Sequence, residues 1–293
     1  MRAKWIGVLT LASGLVFSGQ VHGHFGDRII PILEITDDML AQIELDGLID
    51  EWPELYGEPT LTPLDFSRYP YDPADLDFRI WLGWHDATDR IYAGAVFFDD
   101  VYWTDYKEAD PEGWENEDSM QLIIDGDHSG GHFLTDSHGY LGLETYSLAQ
   151  PYDAIARIPV GPNVGIWGAS ISIDIREPVY DWMVKPPYSE GSGGVYGENP
   201  TVSVIEFYVT PFDALSWGDD PQESTVSNLQ AGRVIGLEVV VFDVDRGKGI
   251  RIKRLANGLA DRWAEAFADG VLIGASDSAV REDSWGRIKD SLR

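Results

Sequence analysis

Three apolar runs, each closed by acidic residues, constrain this chain more than any other feature. They are Ile91 to Phe98 ahead of Asp99-Asp100, Met120 to Ile124 ahead of Asp125-Gly126-Asp127, and Ile235 to Phe242 ahead of Asp243-Val244-Asp245. Runs of β-branched and aromatic residues this short, ending in acids, have the form of strands that leave a sheet into polar loops. From Asp77 to Phe98 two strands flank the turn Asp86-Ala87-Thr88-Asp89-Arg90, and Phe78, Ile80 and Leu82 alternate with Asp77, Arg79 and Trp81. That period of two is the mark of a half-buried antiparallel strand.

Further runs at Ile29 to Ile35, Tyr140 to Leu148, Ile155 to Val160, Val164 to Ile175 and Val202 to Thr210 are separated by Gly, Pro, Asn and Asp. A parallel sheet would need long helical patterns between its strands, so the chain reads as all-β, an antiparallel β-sandwich. One stretch has helical spacing: Leu255, Leu259, Trp263 and Phe267 recur at four-residue steps, which predicts a short helix near the C-terminus within Ile252 to Phe267. The stretch Lys185 to Pro200, with Pro186-Pro187 and Gly191-Ser192-Gly193-Gly194, predicts a long loop. The expected core includes Leu45, Ile49, Trp52, Ile80, Leu82, Val96, Leu122, Ile124, Ile205, Phe207, Leu237 and Val239.

Arg2 and Lys4 precede an apolar stretch from Trp5 to Phe17 and small, polar residues up to Gly23. This is the layout of a secretory signal peptide, and its apolar run is short of the roughly 20 residues a spanning helix needs. The expectation is a signal peptide over residues 1–23, a single domain over 24–293, a secreted or periplasmic location, and no membrane insertion after cleavage. The chain has no cysteine, which excludes disulfides, a lipid-anchored cysteine, Cys-ligated zinc and covalent haem attachment. Its formal charge of -29 repels phosphate backbones, so nucleic acid is excluded as a partner.

A fourth phrase, Asp46-Gly47-Leu48-Ile49-Asp50-Glu51-Trp52, stands ahead of the three acidic-ended runs. In this order the four resemble a family 9 type carbohydrate-binding module, a jelly-roll sandwich related to DOMON-type sugar- and haem-binding domains. The resemblance runs from about Asp46 onward. In that family a tryptophan a few residues before the Asp-Ser phrase forms one wall of a clamp on a terminal sugar, and Trp114-Glu115-Asn116-Glu117-Asp118-Ser119 matches that segment with one extra residue. The resemblance therefore implies Trp114 as an aromatic platform, with Glu115, Asn116 and Gln121 as hydrogen-bonding neighbours. Two places depart from the pattern. Val280 holds the position of the second clamp tryptophan, ahead of Arg281-Glu282, and Gln121 replaces the acid usual after Asp-Ser. Either another aromatic residue such as Trp182, Tyr188 or Tyr196 supplies the second wall beside Arg281, or the ligand differs. The aromatic residues suit the purpose because a sugar's C–H face stacks on flat rings while its hydroxyls take a few fixed polar partners.

Asp125, Asp127 and Ser129 place oxygens at alternate positions before Gly130, and Asp136 falls at the twelfth place. This resembles the start of a calcium loop, in which hard oxygens wrap a hard cation, so a structural Ca2+ is an expectation alongside the plainer reading of a solvated turn. His128, His132 and His138 read as loop residues. The chain lacks a G-x-S-x-G elbow, an H-E-x-x-H helix and a P-loop. The expectation is an exported, non-catalytic protein that binds a mono-, oligo- or polysaccharide and takes part in polysaccharide recognition or breakdown. Two alternatives stay open: a haem-binding DOMON-type electron-transfer domain using His and Met ligands, and a polysaccharide-active hydrolase using two carboxylates.

Overall fold

The computed structural model describes residues 28–66, 70–103, 117–130, 150–156, 164–168, 182–183, 185–198, 200–214, 220–245, 249–254 and 264–278. The expected signal peptide, the run Tyr140 to Leu148, and Trp114, Glu115, Asn116, Asp136 and Arg281 lie outside these residues.

The described strands are β1 (Ile29–Glu34), β2 (Leu76–His85), β3 (Arg90–Asp99), β4 (Ser119–Asp125), β5 (Gln150–Ala156), β6 (Val164–Gly168), β7 (Ser189–Tyr196), β8 (Thr201–Val209), β9 (Phe212–Ala214), β10 (Thr225–Val226), β11 (Val234–Asp245), β12 (Gly249–Arg254) and β13 (Ala268–Ile273). Ten of them run side by side in the order β6-β5-β4-β11-β13-β1-β2-β3-β8-β7; β12 also pairs with β11, while β9 and β10 form a separate ribbon. All pairings are antiparallel except those of β1 with β13 and with β2. The sheet curls on itself until its two ends, β6 and β7, approach each other. The result is the sandwich that the alternation predicts.

Between the two halves Phe78, Ile80, Leu82 and Trp84 of β2 meet Leu122 and Ile124 of β4, Ile205 and Phe207 of β8, and Leu237, Val239 and Val241 of β11. Residues one step out of phase on β2, β3 and β8 face the other way, yet Trp81, Tyr92, Val96, Val204 and Tyr208 are also buried. They are covered by the segment that holds α1 (Asp37–Leu40) and α2 (Glu51–Tyr56), which packs Ile35, Met39, Leu40, Ile43, Leu45, Ile49, Trp52 and Tyr56 against them. The alternation in the sequence predicts one solvated face. The structure has a third layer there, because the residues before β2 carry enough apolar surface to cover that face.

One carboxylate fastens this layer. Glu206 on β8 is fully buried; its Oε1 accepts from the Trp52 indole N–H at 2.8 Å and its Oε2 from the Gly47 backbone N–H at 2.9 Å. The Tyr196 hydroxyl adds a bond to the Gly47 carbonyl at 2.9 Å. Gly47 has φ +86°, and a Cβ there would lie 2.9 Å from the Gly193 carbonyl carbon, so the position requires glycine twice over. This explains the first difference from expectation. The Gly191 to Gly194 run, expected as part of a long loop, is the middle of β7, and its bare backbone lets the Asp46 to Trp52 phrase lie directly on the strand. Gly94 on β3 gives the same clearance to Trp52, whose ring would lie 2.4 Å from an added Cβ. Gly94→Val is therefore expected to lift Trp52 off the sheet and cost about 1–3 kcal/mol in urea denaturation, the usual range for overpacking a filled core.

The expected helix within Ile252 to Phe267 is the second difference. Ile252 to Arg254 complete β12 in register with Phe242 to Val240, and Ala264 to Ala266 make a single 3-10 turn; residues 255–263 lie outside the described set. Leu255, Leu259 and Trp263, which carry the four-residue spacing, lie outside the described residues. The short helix of this region comes later, at α3 (Ala275–Ser278).

Candidate functional site

The C-terminal ends of β3, β7 and β11 and the N-terminal ends of β4 and β8 gather at one end of the sandwich. There the acids that close the apolar runs come together. One carboxylate oxygen from each of Asp99, Asp118 and Asp243 lies within 4.8 Å of the other two, and all three residues are buried. Asp75, Asp100 and Asp245 form a second such group. The Asp118 carboxyl is lifted to about 9, mainly by burial and then by the charge of Asp99. Burial likewise lifts Asp99 to about 7, with Asp243, Asp100 and Asp245 adding to it. Such a set favours protons or a hard cation over bare negative charge.

Asp118 also has a positioning role. Its Oδ1 accepts from the Val244 N–H at 2.6 Å, its Oδ2 accepts from the Trp103 N–H, and its own N–H donates to the Trp103 carbonyl at 2.9 Å. The Asp of the Asp-Ser phrase thus ties β4 to the end of β11 and to Trp103, the residue from which the chain departs toward Trp114. Ser119 begins β4, and Gln121 follows two residues later on the face turned away from the Met120 and Leu122 side chains in the core.

Gln121 is 7 % exposed and sits in a row that only strand pairing reveals. Its register partner on β5 is Asp153, whose partner on β6 is Trp167; on the other side it pairs with Val240 of β11, whose partner on β12 is Arg254. Trp167, Asp153, Gln121 and Arg254 therefore occupy one register line across five strands, about 19 Å at the usual strand spacing. Sequence reasoning singles out Gln121 and misses Asp153 and Arg254, because their place beside it depends on partners more than 30 and 130 residues away.

The remaining expected residues scatter. Trp182 and Tyr188 are half-buried and pack edge-on to each other at 4.9 Å, with both rings against Phe212 at 5.6 Å. Tyr188 precedes β7 and Tyr196 ends it, so eight residues of strand, roughly 26 Å, separate them. Trp182 and Tyr188 cannot share a site with Tyr196. Asp125, Asp127 and Ser129 stand at the far end of β4 from Asp118. There the buried Asp125 carboxylate accepts from the Gly130 N–H at 2.8 Å, and Asp127 accepts from the Ser129 N–H at 3.1 Å and its hydroxyl at 2.6 Å. His128 is held against Asp269 of β13 at 3.0 Å. Among the described residues the tight groupings of possible metal ligands involve Asp75, Asp99, Asp100, Asp118, Asp243 and Asp245 and do not include Asp125 or Asp127.

Taken together, the architecture is an all-β sandwich with an added outer layer. The chain is similar in structure to a family 9 carbohydrate-binding module from Caldicellulosiruptor kristjanssonii in complex with cellotriose, at TM-score 0.52 and 14 % identity, covering 86 % of this chain and 97 % of that one. It is similar to the module from the same organism in complex with glucose at TM-score 0.51 and 13 % identity, covering 85 % and 98 %. No protein-family model matches the chain, and no curated protein matches it. At such identity the likeness establishes the fold, and the residues that carry function must be argued from this chain itself.

Proposed function

We propose that this protein is an exported, non-catalytic module that binds a neutral hexose or a short hexose chain and serves in polysaccharide recognition or breakdown. The observation that carries the reading is the fixation of Trp103 by Asp118 at the end of the sandwich. Asp118 holds Trp103 and Val244 together, close in the chain to Gln121 and its register row of Asp153, Trp167 and Arg254. Aromatic residues combined with a few fixed polar groups are the composition that a sugar requires. The shared fold with modules solved with cellotriose and glucose supports the same ligand class.

Calcium belongs to this reading as a structural ion. The sequence suggests the turn at Asp125, Asp127 and Ser129; the tighter oxygen set is Asp99, Asp118 and Asp243. A divalent cation there would take the place of the protons that burial favours, and so would stiffen the strand ends that Asp118 joins. The test is affinity electrophoresis over a glycan panel, with calcium and with chelator, for the wild type and for Trp114→Ala and Asp99→Asn. The wild type is expected to be retarded by a soluble glucan, and Trp114→Ala to lose that retardation while staying folded. Chelation is expected to lower the melting temperature of the wild type and to leave Asp99→Asn unmoved. A folded wild type that no glycan retards would overturn the functional reading; a melting temperature indifferent to chelation would remove calcium from it.

A further inference from the structure

The layer that covers the outer face of β2, β3, β8 and β7 leaves Phe98 exposed in the last row of the sheet, while Val202 and Tyr196 of that row stay partly buried against it. Asp77, Phe98, Val202 and Tyr196 follow one another in register across these four strands, a line of about 14 Å at the usual strand spacing. All four face away from the main core, since Phe78, Phe97 and Val195 beside them point into it. Phe98 is 37 % exposed in a strand whose other apolar residues are buried. Tyr71, 38 % exposed, joins the row by donating its hydroxyl to Asp77 at 3.0 Å, and Asp77 also holds the Arg79 guanidinium at 2.7 Å. At the other end Tyr196 lies over Gly194, with its hydroxyl fixed to the Gly47 carbonyl.

These groups form a shelf of aromatic rings and ordered polar atoms, built on strand residues with Tyr71 from the segment ahead of β2. Their partners are already fixed, so little side-chain freedom remains to be lost on binding. The charge around the shelf selects the occupant. Arg79 is neutralised by Asp77, and the segments that flank the row expose Asp46, Asp50 and Asp72. A second copy carrying the same charge of -29 is repelled, as is any anionic glycan. A neutral ligand with apolar C–H faces and hydroxyl edges meets no such penalty. The shelf is also continuous with the end of the sandwich described above, for Phe98 is followed by Asp99 and then by Val101, itself 38 % exposed, on the way to Trp103.

We propose that Tyr71, Asp77, Arg79, Phe98 and Tyr196 form a second contact surface that receives the extension of a neutral hexose chain held elsewhere on the module. The inference rests on the saccharide-binding reading and adds to it that chains are preferred over single sugars.

The test is calorimetric titration of the protein with glucose and with a β-1,4-glucan hexasaccharide, for the wild type and for the double variant Tyr71→Ser/Phe98→Ser. The wild type is expected to bind the hexasaccharide more tightly than glucose. The double variant is expected to lose about tenfold in hexasaccharide affinity, as two stacked rings would give, with glucose affinity unchanged. Hexasaccharide affinity equal to the wild type's, or an equal loss for both sugars, would overturn the shelf while leaving saccharide binding in place. A wild type that binds neither sugar would overturn both. Both side chains are exposed, so the melting temperature should move by no more than a few degrees; should the double variant not fold, Tyr71→Ser, outside any strand, carries the same comparison.

Discussion

Asp118→Ala is expected to abolish saccharide retention and to lower the unfolding free energy by about 2–4 kcal/mol. The alanine removes the acceptor for two backbone N–H groups, those of Val244 and Trp103, and leaves both without it at a position where Asp118 is 8 % exposed. An unsatisfied buried donor costs about 1–3 kcal/mol, and removing the desolvated carboxyl offsets part of the sum. The functional loss follows from geometry. Trp103 keeps only the backbone bond from residue 118 and loses the carboxylate through which Asp118 also holds Val244 of β11. Asp118→Asn separates the two effects. It keeps the shape and one acceptor, so it should cost only about 1–2 kcal/mol, with one N–H facing an amide donor. Urea denaturation and affinity electrophoresis on the same samples give both readouts. Retention of glucan by a folded Asp118→Ala protein would show that Trp103 is not the anchor of the site.

The acids that end the apolar runs show what can be read in the sequence and what cannot. Period two in Phe78, Ile80 and Leu82, and the unbroken runs of β4 and β11, identify strands because the side-chain direction alternates whatever the partner strand is. The strand-ending acids are equally visible, yet their convergence is not. Asp99, Asp118 and Asp243 meet because β4 pairs with β11, and β3 faces them across the core. The row through Gln121 is hidden for the same reason, since register is a property of two strands and not of one. The Gly191 to Gly194 run misleads because glycine usually marks a turn; here it marks the place where Gly47 and the ring of Tyr196 touch the strand backbone. Trp81 looks half-exposed by its phase, and only the packing of Trp52 and its neighbours reveals a third layer. The calcium motif at Asp125 is local and therefore legible, whereas the tighter oxygen cluster draws on residues 19 and 125 positions from Asp118 and is not.

Glu206 is the single residue on which that third layer depends most, and its removal should have the second large effect. Glu206→Ala deprives the Trp52 indole and the Gly47 N–H of their acceptor and opens a space beside a fully buried tryptophan, for an expected cost of about 3–5 kcal/mol. Glu206→Gln gives the sharper result, because it separates shape from charge. Burial lifts the Glu206 carboxyl to about 8, and the charges of Glu51 and Asp46 add to the rise, against the two hydrogen bonds that favour ionisation. Between the ordinary glutamate value near 4.5 and about 8, the folded protein holds a proton that the unfolded chain has released. Stability from this group is therefore fully present below pH 4.5 and is lost as pH rises toward 8, with a slope of at most about 1.4 kcal/mol per pH unit. The amide of the glutamine variant cannot ionise, so that variant escapes the loss. Relative to the wild type, Glu206→Gln should be least stable near pH 5 and should gain steadily through pH 8, with no further gain above it. Urea denaturation of both proteins at pH 5, 6.5, 8 and 9 measures the difference directly, and the comparison cancels the surface carboxylates common to both. A constant difference across that range would mean that the two N–H donors hold Glu206 ionised throughout, and that the layer is fastened by a buried charge instead of a proton.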